Sequence, residues 1–261
     1  MLSYPHIDPV LIQIGPLSVR WYGLMYLLAF GIGYLVIRGL GRYRQLAMAD
    51  ETASDLLFYA MLGVILGGRL GYVLFYNPAY YLRHPLSIFA VWEGGMSFHG
   101  GLLGVTAAVL IFSWKKGLPV LLVADIMAGA AAPGLFFGRI GNFINGELWG
   151  RVTDLPWGMV FPGAGPLPRH PSQLYEAFLE GLALTVVILF LHRRKVSHGV
   201  PFFTFFLLYG MFRFLVEFVR EPDAHLGYLW AGATMGQLLC LPMMALGIGG
   251  LVLVYKNKVA R

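Results

Sequence analysis

The chain is built from long apolar runs separated by short clusters of charge. Continuous hydrophobic stretches of about 20 residues, rather than ten-residue alternating segments, are the pattern of helices that cross a bilayer. Seven such helices are predicted, over 19–37, 55–76, 97–114, 121–137, 172–192, 201–219 and 231–255. Ser172, behind Pro171, is a suitable N-cap for the fifth. Between the fourth and fifth runs the pattern fails: Pro156, Pro162, Gly163, Gly165, Pro166 and Pro168 break any helix and mark a surface arm over 154–171. The expected architecture is an all-α integral membrane protein, a bundle of about seven transmembrane helices with a small extracytoplasmic arm, in one polytopic domain over 1–261.

Composition agrees with the pattern. With 58% hydrophobic and 12% charged residues and a mean hydropathy of +0.69, the chain is too apolar for a water-soluble domain. The one cysteine, Cys240, excludes an intramolecular disulfide and reads as a small apolar helix residue. The seven histidines show no metal-ligand spacing, so neither a metal nor a cofactor is expected, and no nucleic-acid partner.

The charge is informative through its distribution. Arg38, Arg42, Arg44, Lys115, Lys116, Arg193, Arg194, Lys195, Lys256, Lys258 and Arg261, eleven of the nineteen basic residues, fall on one side of the predicted bundle. The positive-inside rule makes that side cytoplasmic, with the N-terminus outside and the C-terminus inside. The first 18 residues contain no lysine or arginine, so they lack the basic start of a cleavable signal peptide and are expected to be retained.

Arg69, Arg139 and Arg213 lie within or at the edge of apolar runs, all towards the outer ends of their helices. Intramembrane cations are costly and usually functional, and three at similar depth form a candidate anion site. The densest polar stretch surrounds Arg139: residues 138–153 also supply Asn142, Asn145 and Glu147. Glu217 stands four residues after Arg213 and three before Arg220, a spacing that permits local pairing. It either neutralises Arg213 for insertion or leaves a positive surplus suited to phosphate, which guanidinium groups bind in bidentate fashion. His99, between Phe98 and Gly100, is either a structural residue or a general base. Tyr22, in Trp21-Tyr22-Gly23, either lines the site or anchors its helix at the interface. Glu176 and Glu180 share a face of the fifth run, and Asp125 reads as a helix-packing polar residue. An enzyme acting on an anionic lipid and a lipid transporter are both compatible with intramembrane arginines. Concentration of the intramembrane charges near one end favours the enzyme.

Taken together, residues 138–153, Trp21-Tyr22-Gly23, Ser97-Phe98-His99-Gly100-Gly101, His170-Pro171-Ser172-Gln173 and 213–220 closely resemble the bacterial phosphatidylglycerol–prolipoprotein diacylglyceryl transferases. The resemblance implies transfer of a diacylglyceryl group from phosphatidylglycerol to the lipobox cysteine of a prolipoprotein signal peptide, giving a thioether and glycerol 1-phosphate, in the bacterial cytoplasmic (inner) membrane. On that basis Arg139, Arg213 and His99 are the catalytic candidates. Tyr22, Asn142, Asn145, Glu147, Glu217 and Arg220 join the two arginines as substrate-binding candidates, with phosphatidylglycerol, the prolipoprotein and surrounding membrane lipids as partners.

Overall fold

The computed structural model describes residues 2–5, 7–46, 50–76, 78–222, 229 and 232–259, with the backbone alone at 17, 93, 98 and 99. Each of the seven predicted runs is helical. In chain order come α1 (Trp21–Tyr43), α2 (Asp50–Phe75), a short α3 (Pro78–Arg83) followed by two 3₁₀ turns, α4 (Phe98–Lys116) and α5 (Val120–Ile144). A 22-residue helix, Ser172–Arg193, comes next. It comprises α6 (Ser172–Glu176), a π-helical segment Ala177–Ala183 and α7 (Leu184–Arg193). The last two helices are α8 (Val200–Val216) and α9 (Met235–Val259). Among the described residues five helices are long and apolar enough to cross a membrane, and α8 is a shorter apolar helix.

Several boundaries differ from those expected. Val19 belongs to a hairpin, β1 (Val10–Ile14) paired antiparallel with β2 (Leu17–Arg20), and α1 begins only at Trp21. The fourth helix does not stop at Phe137 but continues to Ile144, so Arg139 and Asn142 stand on the helix rather than after it. The sixth ends at Val216, which puts Arg220 in the turn beyond it. The predicted start of the last helix at Ala231 lies outside the described residues.

Backbone contacts group the chain into two compact units, Ile37–Ala124 and Met1–Val36 with Asp125–Arg261. In the first, α2 and α4 pack through glycine. A Cβ on Gly63 would fall 2.5 Å from the Gly104 carbonyl oxygen, and one on Gly71 would fall 2.8 Å from the Gly100 Cα. Only hydrogen side chains at this spacing of four let two backbones approach so closely within lipid. Ser97 caps α4 by accepting the Gly100 N–H, and Gly117 ends the helix in the left-handed conformation. Arg69 belongs to this unit and is not free for an anion. Its guanidinium donates to the carbonyls of Ser87, Ile88, Gly94 and Gly95, fixing the connection between α3 and α4.

In the second unit the arm is folded rather than loose. Met159 and Arg169 exchange backbone hydrogen bonds of 2.9 and 2.8 Å, and Phe161 and Met159 bury against Tyr4 and Phe143. Tyr4 donates its hydroxyl to the carbonyls of Phe143 and Ile144 at 2.6 and 3.0 Å, satisfying acceptors that the end of α5 leaves without helical partners. At the other end of this helix Asp125, fully buried, accepts the backbone N–H groups of Gly199 and Phe202 at 2.8 and 2.9 Å and so caps α8 from a neighbouring helix. Asp125→Ala would strand both donors. A loss of about 2–4 kcal/mol is expected, seen as a lower thermal midpoint in detergent, with Asp125→Asn intermediate because it keeps one acceptor.

Candidate active site

Three helices bring the polar groups of the second unit together. Arg139 and Asn142 stand three residues apart on α5, on one face. The Ser172–Arg193 helix presents Glu176 and Glu180, both fully buried, and α8 with its following turn presents Arg213, Glu217 and Arg220.

These side chains form one ion-pair network. Arg139 Nε lies 2.8 Å from Glu176 Oε2, and its Nη2 donates to Glu180 Oε2 at 3.2 Å. Arg213 Nη1 donates to Glu176 Oε1 at 2.6 Å and Arg213 Nη2 lies 2.9 Å from Glu217 Oε2. Arg220 Nη1 reaches Glu176 Oε1 at 3.7 Å. Glu176 is therefore the hub, facing all three guanidinium groups. Thr234 supports Glu217 from outside the network, donating its hydroxyl to Glu217 Oε1 at 3.0 Å.

The arrangement changes the charge balance expected from the sequence. Arg213-Glu217-Arg220 considered alone leaves a surplus cation, but Glu176 and Glu180 bring the network to three guanidinium groups against three carboxylates. Sequence spacing places both glutamates on one face. That they face Arg139 and Arg213 is a tertiary relation, at which only the spacing hints.

A second cluster lies further along the same stretch. Glu147 Oε1 accepts from the side-chain amides of Asn142 and Asn145 at 2.9 and 3.2 Å. The ring of Tyr22 rests against Gly141, and its hydroxyl interacts with Asn142 and Glu147. Gln173, to which the sequence pattern assigns no role, donates to the Glu147 carbonyl. It stands three residues before Glu176 on the same helix, so it ties this cluster to the helix that carries the ion-pair hub.

The remainder of the 138–153 stretch is a connector. The N–H of Gly150 donates to the His170 carbonyl and that of Arg151 to the Val219 carbonyl, each at 2.8 Å. Arg151 Nε also donates to the Arg220 carbonyl at 3.0 Å. The turn after α8 is thereby stitched to the arm, which holds Arg220 towards Glu176. On the arm, the Trp157 indole N–H donates to the Tyr175 hydroxyl at 2.7 Å. An indole can only donate, so the Tyr175 hydrogen is free to point at His170 Nδ1, 3.2 Å away. Burial pushes the His170 imidazole below its ordinary range, in keeping with a neutral ring that accepts at Nδ1.

Of the candidates named from sequence, Arg139, Arg213, Glu217 and Arg220 meet in the ion-pair network, and Tyr22, Asn142, Asn145 and Glu147 in the amide cluster. His99 is in the first turn of α4, and its side chain lies outside the described residues. Cys240 is buried in α9. Among the described residues no group of three histidine, cysteine, aspartate or glutamate side chains could hold a metal ion.

The family model for prolipoprotein diacylglyceryl transferase matches residues 9–253. Similar proteins occur in Geobacter sulfurreducens, 58% identical over 99% of both chains, and in Oleidesulfovibrio alaskensis, 56% identical over 97% of this chain and 94% of the relative. Another, in Bordetella parapertussis, is 55% identical over 95% of this chain and 96% of the relative. All three are named phosphatidylglycerol–prolipoprotein diacylglyceryl transferase. With matches running through nearly its whole length, the chain belongs to the prolipoprotein diacylglyceryl transferase family.

Proposed function

We propose that the Arg139–Glu176–Arg213 network is the phosphate-handling centre of a membrane enzyme that moves the diacylglyceryl group of phosphatidylglycerol onto a prolipoprotein. The observation that carries this reading is the gathering of three guanidinium groups, held by buried carboxylates, on apolar helices and the turn that follows one of them. A soluble anion has little reason to enter such surroundings, whereas a lipid phosphate arrives with its acyl chains already in the bilayer.

The acceptor in this reading is the lipobox cysteine of the signal peptide. Its thiol gives up a proton, the sulfur attacks the glyceryl carbon next to the phosphate oxygen, and that C–O bond breaks. The phosphodiester, carrying one negative charge, leaves as glycerol 1-phosphate with two. Arg139 and Arg213 stabilise the charge that develops on the departing oxygen, where preorganised donors in a low-dielectric site act most strongly. Asn142, Asn145, Glu147 and Tyr22 order the glycerol headgroup, and Glu217 and Arg220 set the outer side of the network. His99 is assigned the thiol proton, because a free thiol with a pKa of about 8.5 is largely protonated at neutral pH.

The lysine and arginine distribution supports a bacterial inner-membrane topology with the N-terminus extracytoplasmic and the C-terminus cytoplasmic, which turns residues 154–171 towards the incoming prolipoprotein. Purified protein in nanodiscs containing labelled phosphatidylglycerol, supplied with a lipobox peptide, is expected to yield a thioether-linked diacylglyceryl peptide and glycerol 1-phosphate in equal amounts. Release of glycerol phosphate without lipid on the peptide would replace this reading with that of a lipid hydrolase.

A further inference from the structure

The Ser172–Arg193 helix has an unusual periodicity. Ser172, Glu176, Glu180, Leu184, Ile188 and His192 are all fully buried at an unbroken spacing of four, while Phe178, Leu182, Val186 and Phe190 are exposed at the same spacing. In an α-helix each four-residue step overshoots a full turn by about 40°, so five steps would carry the last residue about 200° round the axis from the first. The π-helical segment Ala177–Ala183 counters that drift with its wider i→i+5 turn, and segments of this kind are frequent at functional sites. It is pressed against α5 at Gly181, where a Cβ would lie 2.6 Å from the Cα and Cβ of Phe136. That contact stands three residues before Arg139, and it delivers Glu180 to the Arg139 guanidinium.

Glu180 is also the most weakly held of the three carboxylates. Glu176 faces three cations, and Glu217 has Thr234 behind it. Glu180 accepts one hydrogen bond, at 3.2 Å, the longest of the contacts that Arg139 and Arg213 make with their nearest carboxylate oxygens. Its buried Oε1, like Glu176 Oε2 and Glu217 Oε2, has no hydrogen-bond partner among the described residues, but those two oxygens lie 2.8 and 2.9 Å from a guanidinium nitrogen. The nearest cation to Glu180 Oε1, Arg213 Nη1, is 4.0 Å away.

A network of three cations and three anions has no net charge with which to attract a phosphodiester. The N–H groups left over on Arg139 can meet the phosphate, but its charge is balanced only where a carboxylate gives way. We propose that Glu180 is that exchangeable partner, a positioning residue that holds Arg139 in the resting site and cedes it to the lipid phosphate by swinging towards Arg213. The inference rests on the reading of the network as the phosphate site. After transfer, Glu180 reclaims Arg139 and helps to expel glycerol 1-phosphate.

Steady-state kinetics in nanodiscs of graded phosphatidylglycerol content, with a lipobox peptide as acceptor, test the exchange. Glu180→Gln removes the competing charge at nearly constant volume. The KM for phosphatidylglycerol is expected to fall about tenfold, the weight of one charge-assisted contact, while kcat also falls and inhibition by added glycerol 1-phosphate tightens. A residue needed only for folding would not lower KM. Glu180→Asp, which withdraws the carboxylate by one methylene, shifts KM in the same direction by less, and it decides the matter alone if the glutamine variant does not fold. A wild-type or raised KM in folded protein overturns the exchange. Arg139→Lys separates the two levels of the argument. If it is impaired while Glu180→Gln matches the wild type, the exchange alone fails; if it has normal KM and kcat, the phosphate-site reading falls as well.

Discussion

Replacing Glu176 by alanine is expected to cost more stability than any other single change in the network. Its carboxylate is fully buried and faces Arg139, Arg213 and Arg220 at 2.8, 2.6 and 3.7 Å. Truncation leaves three guanidinium groups to share two carboxylates in a site with little water to compensate them. Breaking a buried pair by removing one partner costs about 3–5 kcal/mol, mostly through the charge left behind. The Glu176→Ala protein should accumulate poorly, melt earlier in detergent and show no transfer above background. Glu176→Gln keeps one acceptor for Arg213 and the side-chain volume, so it should melt closer to the wild type while remaining impaired in turnover. A Glu176→Ala protein that melts with the wild type and transfers lipid normally would remove Glu176 from the centre of this site.

The seven helices are legible in the sequence because continuous apolar runs survive whatever packs around them. Their ends are less so, since helix termini depend on partners that hydropathy does not record. Hydropathy alone stops the fourth helix at Phe137, where the apolar run gives way to Gly138 and Arg139, yet the helix continues to Ile144. Tyr4 supplies the cap that makes this end tolerable, from 139 residues away in sequence. The hairpin Val10–Arg20 escapes notice for a different reason: strands of five and four residues are too short to stand out beside the apolar run that follows. Arg69 and Arg139 share a Gly-Arg-x-Gly context and a hydrophobic setting, but one spends its guanidinium on loop carbonyls and the other on carboxylates. No local pattern separates them. Glu176 and Glu180 leave their spacing of four as a trace, which places them on one face of the helix. That the buried series continues from Ser172 to His192, too long a period for a plain α-helix, is visible only in the fold, because Leu184 and Ile188 look like any other apolar residue of the run.

Arg139→Lys and Arg213→Lys should each abolish most activity with little loss of fold. Both arginines use two nitrogens at once: Arg139 places Nε and Nη2 against Glu176 and Glu180, and Arg213 places Nη1 and Nη2 against Glu176 and Glu217. A planar guanidinium held in this way still has N–H groups left to aim at a phosphate, and it is weakly enough hydrated to stay in an apolar site. A lysine ammonium keeps the charge, so the pairs with Glu176 are not abandoned and the protein should fold. Its point-like head on a flexible stem cannot span two carboxylates and still present a directed donor to the departing oxygen. Losing one such transition-state contact corresponds to about 2–4 kcal/mol, or roughly 30- to 1000-fold in kcat/KM. The double variant should lose less than the product of the two effects, because Arg139 and Arg213 share Glu176 and neighbours of this kind are not additive. Transfer rates measured with labelled phosphatidylglycerol, normalised to folded protein, provide the comparison. Near-normal turnover in both lysine variants would mean that neither guanidinium holds the leaving phosphate, and the reading of the network as the phosphate site would have to be given up.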